Sequence, residues 1–442
     1  MIAAIAPVGA LLLSVALLLT GNGLQGTLLP VRASMESFSP LSIGVLGASY
    51  YIGFAIGVLG TPRLIGRVGH IRLFTAMVAL ASVAPLAHAL FVAPPFWWLM
   101  RGMNGVCMAS LYLIIESWLN ERATTENRGA VFTIYTTVNY SVITLGQLLI
   151  LADDPVKFPL YALASILVSV AAVPVALSRS PQPAQVVAAR LPLSALFRVS
   201  PVGAAGCMTV GIANGAFWAL GPAFVLQSGL HVSDVALFMS ATVVGGAVSQ
   251  WPFGRLSDRI DRRLMLMISC IAASASGVAI VLAGMYAPSL VIPAGFLFGV
   301  FSFPVYALSV AHANDMARGA DFVAVAGGLL MVNGIASVIG PLLASGTMQV
   351  VGAAGLFAFT AVSHGVMALF TLYRMQRRAA PTPEEKTDFV PMPAHAPRLG
   401  DIDPRGEAPA ETGGPPEDGP PSPDGPGPDE PPPEGEGRQA AA

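Results

Sequence analysis

Twelve apolar stretches, each long enough to cross a bilayer as a helix, follow one another along this sequence. They lie at roughly 8–30, 42–62, 71–92, 96–119, 129–151, 157–178, 201–225, 233–254, 263–286, 288–312, 322–348 and 351–374. Hydrocarbon offers no water to backbone N–H and C=O groups, so only helices and closed barrels satisfy them there. The stretches lack the two-residue alternation of a barrel, and helices are predicted. Composition excludes a soluble alternative: with 54% of residues hydrophobic and 11% charged, the chain could not clothe a water-facing surface. The predicted fold class is an all-α integral membrane protein.

The basic residues set its direction. With the N-terminus placed in the cytoplasm, sixteen Arg fall in the inner breaks or just past the last stretch, from Arg63 to Arg378. Only Arg32 and Lys157 fall in the outer breaks. Positive charge is retained on the cytoplasmic side, so a multi-pass protein of the inner (plasma) membrane is expected, with both termini cytoplasmic.

The net charge of −2 hides a split. Residues 1–378 carry 19 Lys/Arg against 11 Asp/Glu, and residues 379–442 carry 4 against 14. The second block also holds 17 of the 37 prolines and almost no aromatics. It cannot bury enough apolar surface to fold and reads as a disordered acidic tail, a solubilising extension. Cys107, Cys207 and Cys270 lie far apart inside apolar stretches and fit neither a metal site nor a disulfide framework. The first stretch lacks a basic leader and a small-residue cleavage site, so it is expected to stay as the first helix.

The chain also repeats itself. A shift of 192 residues brings Asn22-Gly23 onto Asn214-Gly215, Pro30 onto Pro222 and Arg67 onto Arg259. A shift of 194 brings Tyr112 onto Tyr306, Asn120 onto Asn314, Asn139 onto Asn333 and Gly146 onto Gly340. A shared offset over such a length predicts two pseudo-symmetric six-helix halves, as in many transporters. They would comprise residues 1–178 and 201–378, joined by a cytoplasmic loop at 179–200.

These residues resemble the major facilitator superfamily (MFS). That family repeats a loop of the form G-x-x-x-D-R-x-G-R-R between spans 2 and 3 and between spans 8 and 9. The second copy here is Gly254-Arg255-Leu256-Ser257-Asp258-Arg259-Ile260-Asp261-Arg262-Arg263, with Asp261 in place of the second glycine. The first copy is degraded, with Gly66 where the family has its aspartate, before Arg67. Arg101-Gly102-Met103-Asn104-Gly105 in span 4 is similar to the R-x-x-x-G pattern of proton-coupled members. Val68-Gly69-His70-Ile71-Arg72, Glu116-Ser117-Trp118-Leu119-Asn120, Asn127-Arg128-Gly129 and His312-Ala313-Asn314-Asp315 resemble the YcaD-like branch. Drug-exporting antiporters carry a Gly-Pro pair in span 5. Gly146-Gln147 stands there instead, and this speaks against that sub-class.

Charges inside a bilayer are costly and mark function by default. Arg101 is the sharpest candidate: it would bind an anionic substrate group or set the pKa of a proton-carrying partner, against the plainer reading of a guanidinium snorkelling to the interface. Glu116 lies about 22 Å farther along the same helix, too far to pair with it. Glu116 is expected to meet Arg122 or Arg259 as an inner latch. Asp258 would meet Arg128 at the start of span 5, with Arg67, Arg262 and Asp315 in the same gating layer.

Asn22, Gln25, Asn104, Tyr112, Asn139, Tyr140, Asn214, Trp218, Tyr306 and Asn333 fall near mid-membrane and suit a small polar organic solute. The competing reading is interhelical bonding by these amides. His88 and His364, on outer helices, are expected to be structural, and His312 to cap an inner loop.

There is no nucleotide-binding loop, no cluster of metal ligands and no enzyme signature. The chain is therefore expected to be a gradient-driven transporter working by alternating access. Its expected partners are a small-molecule substrate, membrane lipid and protons, with no cofactor and no nucleic acid, and it is expected to be monomeric. The rivals are an exporter of amphipathic compounds and a non-transporting sensor or scaffold signalling through the tail.

Overall fold

The computed structural model describes residues 9–122, 128–177, 193–317 and 322–377, so the predicted tail lies outside the described residues. Twelve helices among them are long and apolar enough to cross a membrane. They are α1 (Gly9–Met35), α2 (Pro40–Val68), α3 (His70–Leu90), α4 (Pro94–Arg122), α5 (Arg128–Leu148) and α6 (Pro159–Val170, continuing as Ala172–Ala176). After the short helix Leu193–Val199 come α7 (Pro201–Gln227), α8 (Val232–Arg259), α9 (Arg262–Tyr286), α10 (Val291–Ser302, continuing as Pro304–Met316), α11 (Phe322–Val351) and α12 (Gly355–Arg377).

Local chemistry places the helix ends. Ser39 and Ser200 accept the backbone N–H groups of Ser42 and Gly203, and Pro40 and Pro201 follow at the first helical position. Gly69, at φ 82, makes the turn from α2 into α3 in a region that side chains disfavour. Pro174 and Pro304 cannot donate to the preceding turn, and α6 and α10 are each interrupted nearby. Several helices overrun the apolar stretches; α2 reaches Val68, past Arg63 and Arg67. A helix bonds its own backbone and can continue into water, whereas apolar length reports only the part in lipid.

The surface is inverted relative to a soluble protein. Leu59, Val83, Ile166, Val248, Leu282 and Val366 are exposed, while Gln25, Thr61, Asn139 and Ser302 are buried. The outer faces meet hydrocarbon and the polar groups face helices.

The two halves repeat contact by contact. A Cβ on Gly53 would overlap the Gly102 carbonyl, and one on Gly105 the Tyr50 carbonyl, so α2 and α4 touch backbone to backbone. At the offsets of the sequence repeat, Gly245 abuts the Phe296 carbonyl and Gly299 the Thr242 carbonyl, joining α8 to α10. Gly23 on Ile143 and Gly146 on the Thr20 carbonyl join α1 to α5; Gly215 on Ser337 and Gly340 on the Ile212 carbonyl join α7 to α11. Packing of α3 on α6 recurs as α9 on α12. Between the halves, α2 meets α7 and α11, α5 meets α8, and α1 meets α7.

Candidate functional site

The halves meet at the end of the bundle poor in Arg, where α2 begins and α11 finishes. Gly44 lies against the Ser345 side chain and the Pro341 carbonyl of α11, and Gly47 against Ala219 of α7; a Cβ at either glycine would overlap its neighbour. Small residues let the two halves close there to backbone contact. On α5 and α8, Gln250 Nε2 donates to the Tyr140 hydroxyl at 3.2 Å, a second tie between the halves.

Beneath this roof lies a cavity lined by Asn22, Thr27, Tyr50, Tyr51, Arg101, Tyr112, Gln147 and Trp218, with Gly23, Gly26, Gly47, Ile143 and Ala219. The space open to water centres is about 70 Å³, room for a handful of waters. The depth is internal: Tyr50 lies about 15 Å along α2 from its start at Pro40, and Arg101 about 10 Å along α4 from Pro94, at 1.5 Å per residue. Glycines on α1 and α2 keep the walls thin, and the bulk comes from aromatic rings.

Arg101 is the charged side chain among these lining residues. Its guanidinium lies 4.6 Å from the centre of the Tyr50 ring, a cation–π contact. It donates one long hydrogen bond, 3.4 Å, to Asn104 Oδ1. Among the described residues no carboxylate forms an ion pair with it; the ion pairs there involve Arg32, Lys157, Arg262 and Arg263.

Of the residues singled out in the sequence, Asn22, Arg101, Tyr112 and Trp218 line the cavity together, and Asn104 supports Arg101. The others stand elsewhere. Asn139 Nδ2 donates to the Tyr135 carbonyl of its own helix. Asn333 Nδ2 donates to the Cys207 carbonyl at 3.1 Å, tying α11 to α7. Asn214 Oδ1 accepts from Ser302 of α10 at 2.8 Å. Gln25 and Tyr306 are buried outside the cavity wall.

Tyr50, Tyr51 and Gln147 belong to the wall and were not singled out as site residues. The signal for the tyrosines was a pair of phenols inside an apolar stretch. Gln147 was visible only as a departure from an antiporter pattern. His88 and His364 are fully buried, with both ring nitrogens placed on hydrogen-bond partners.

At the Arg-rich end, Arg262 is 1% exposed and pairs with Asp258 at 3.0 Å and Asp315 at 3.3 Å. It binds α8, α9 and α10 of one half together. Asp261, in the turn between α8 and α9, caps α9 by accepting the Arg263 N–H and pairs with the Arg263 side chain at 2.8 Å. Partial burial pushes its carboxyl up, but the Arg263 side-chain and backbone hydrogen bonds, with the charges of Arg263 and His312, outweigh this and hold it below the usual carboxylate value. Glu116 is buried within electrostatic reach of Tyr112 and of Tyr306 in the other half. Arg67 and Arg259 are exposed, and the side chains of Arg122 and Arg128 lie outside the described residues.

A family model described as the Major Facilitator Superfamily matches residues 11–330 and again 204–400. The "Uncharacterized MFS-type transporter YcaD" of Escherichia fergusonii is 28% identical over 342 residues, covering 77% of this chain and 88% of that protein. An "Uncharacterized MFS-type transporter" of Yersinia pestis is 28% identical over 347 residues, 78% and 89% of the two chains. Among solved structures, the nucleoside transporter NupG superposes with a TM-score of 0.69 at 14% identity, over 84% of this chain and 99% of that one. A bacterial homolog of the human lysosomal transporter Spinster, inward-facing and occupied, gives a TM-score of 0.67 at 14% identity, over 85% and 97%. These likenesses to solved structures concern the fold.

Proposed function

The chain belongs to the major facilitator superfamily and is a multi-pass membrane transporter, and from that premise we propose that it is a secondary active transporter moving a small organic solute by alternating access, coupled to protons. The observation that carries this reading is the cavity whose wall brings the Arg101 guanidinium together with Asn22, Tyr50, Gln147 and Trp218, roofed by glycine contacts that cross from one half to the other. Its site residues are those lining side chains. The halves, residues 1–178 and 201–378, rock about it.

The Arg-rich end faces the cytoplasm by the positive-inside rule, so the roof is the extracellular gate. Proton coupling is supported by the Glu116 carboxyl, buried at 2% exposure within a membrane-spanning helix. Amides, phenols and a guanidinium in the cavity wall supply the few placed polar groups that orient a small organic solute against aromatic rings.

Cavity access tests the reading. The native cysteines Cys107, Cys207 and Cys270 are buried, so a single Thr27→Cys substitution in the cavity wall can be followed against a quiet background. In reconstituted vesicles a membrane-impermeant maleimide should reach that cysteine from either side. Labelling from one side only, unchanged when the roof is wedged open by Gly47→Leu, would rule out alternating access.

A further inference from the structure

The cavity of the proposed transporter has an unbalanced chemistry. Arg101 brings five N–H donors and one positive charge. Its only hydrogen bond among the described residues is the long one to Asn104, and it rests otherwise on the face of Tyr50. No acidic side chain is among the lining residues. The Asn22 amide bonds the Tyr50 hydroxyl, but its Oδ1 and the buried Gln147 Oε1 meet no hydrogen-bond donor among the described residues. A buried polar group left unmet is costly, and a cation only partly open to solvent and without a counter-ion adds to that cost.

We propose that the solute is a small hydroxylated monocarboxylate, an inference that rests on the transport reading above. Its carboxylate accepts a bidentate pair from the Arg101 guanidinium, the geometry for which that group is preorganised. Its hydroxyls donate to Asn22 Oδ1 and Gln147 Oε1. Its carbon skeleton packs on the rings of Tyr50, Tyr112 and Trp218.

The charge count sets the class. A neutral sugar leaves the guanidinium unpaired. A dicarboxylate or a phosphate ester brings a second negative charge to a wall with one cation. A zwitterionic amino acid brings an ammonium to a wall without a carboxylate. The resting contacts of Arg101 are weak enough to be exchanged: a cation–π contact and one bond at the limit of hydrogen-bonding distance. The site is therefore built around a cation that an incoming anion completes.

The test uses the full chain in lipid nanodiscs, with thermal shift and equilibrium binding of defined probes. These are glycerate and gluconate for the proposed class, and propionate, ribose, serine, succinate and glycerol 3-phosphate as contrasts. Glycerate or gluconate should bind at least tenfold more tightly than every contrast. Arg101→Gln should weaken that binding by tenfold or more, with Arg101→Lys recovering part of it.

A second variant keeps the test sharp if the Arg101 substitutions fold poorly. Gln147→Leu should cost the hydroxylated acids several-fold while leaving propionate unchanged. Tighter binding of ribose, serine, succinate or glycerol 3-phosphate overturns the assignment, as does no binding by any hydroxylated monocarboxylate. Neither outcome touches the transport reading, which stands or falls on two-sided labelling of Thr27→Cys.

Discussion

Two guanidiniums inside the bundle show how this protein handles charge in two ways. Arg262, at the Arg-rich end, is matched by Asp258 and Asp315, whereas Arg101 is left to an aromatic face. A matched buried pair contributes little net stability, but removing one partner exposes the other's desolvation cost, about 3–5 kcal/mol. Asp315→Asn leaves Arg262 its pair with Asp258, so it should destabilise the protein in a thermal-unfolding assay by less than that full cost. The double variant Arg262→Met/Asp315→Leu should recover much of the loss. Arg101→Gln, which removes no ion pair, should be nearly neutral in the same assay.

Asp261 gives a residue-scale prediction in pH. Its carboxyl is held below its usual value in the folded protein. The stabilisation is thus fully present above the unfolded value, near pH 3.9, and is lost as pH falls through the lower folded value. Asp261→Asn keeps a capping oxygen but loses the charge. It should lower stability by less than ~1 kcal/mol at neutral pH, and the difference from the parent should shrink below about pH 4. A constant difference down to the most acid point measured would contradict this assignment.

Among the helices, glycine does the joining. Gly53 with Gly105, and their counterparts Gly245 with Gly299, let α2 meet α4 and α8 meet α10 backbone to backbone. Overpacking of such a contact costs about 1–3 kcal/mol. Gly53→Ala and Gly245→Ala should therefore lower thermal stability by similar amounts. Gly60→Ala, where nothing stands within 4 Å of the added Cβ, should leave it unchanged. Unequal losses at the two related positions would show that the halves repeat in sequence without repeating in energetics.

This pairing was partly legible in the sequence. The shared offsets of Gly23 with Gly215 and Gly146 with Gly340 come from the same contacts. Gly53 and Gly105 went unread because glycine is frequent in every span, and only the facing helix shows which ones are touched.

At the scale of the whole molecule, the twelve helices were readable from apolar length and the halves from the repeat. The cavity was readable only in part. Asn22, Arg101, Tyr112 and Trp218 stood out as polar or charged groups in apolar stretches, and they do meet. Asn139 and Asn333 look the same in sequence but bond backbone carbonyls. A sequence gives a residue's depth in the membrane, while its direction around the helix depends on neighbours hundreds of residues away. The tail at 379–442 belongs to this scale too. Its deletion should leave solute transport intact, and a loss of transport on truncation would give that segment a part in the cycle.

If the halves open and close around the cavity at the Arg-poor end, a distance across that end must take two values. Leu41 at the start of α2 and Val350 near the end of α11 are both exposed. Cysteines at these two positions can carry spin labels for double electron–electron resonance in nanodiscs. A short-distance population for the closed roof and a second, longer one are expected. Gly47→Leu, which would press on Ala219, should shift the balance towards the longer distance. A single short distance, unmoved by Gly47→Leu and by every solute, would contradict it.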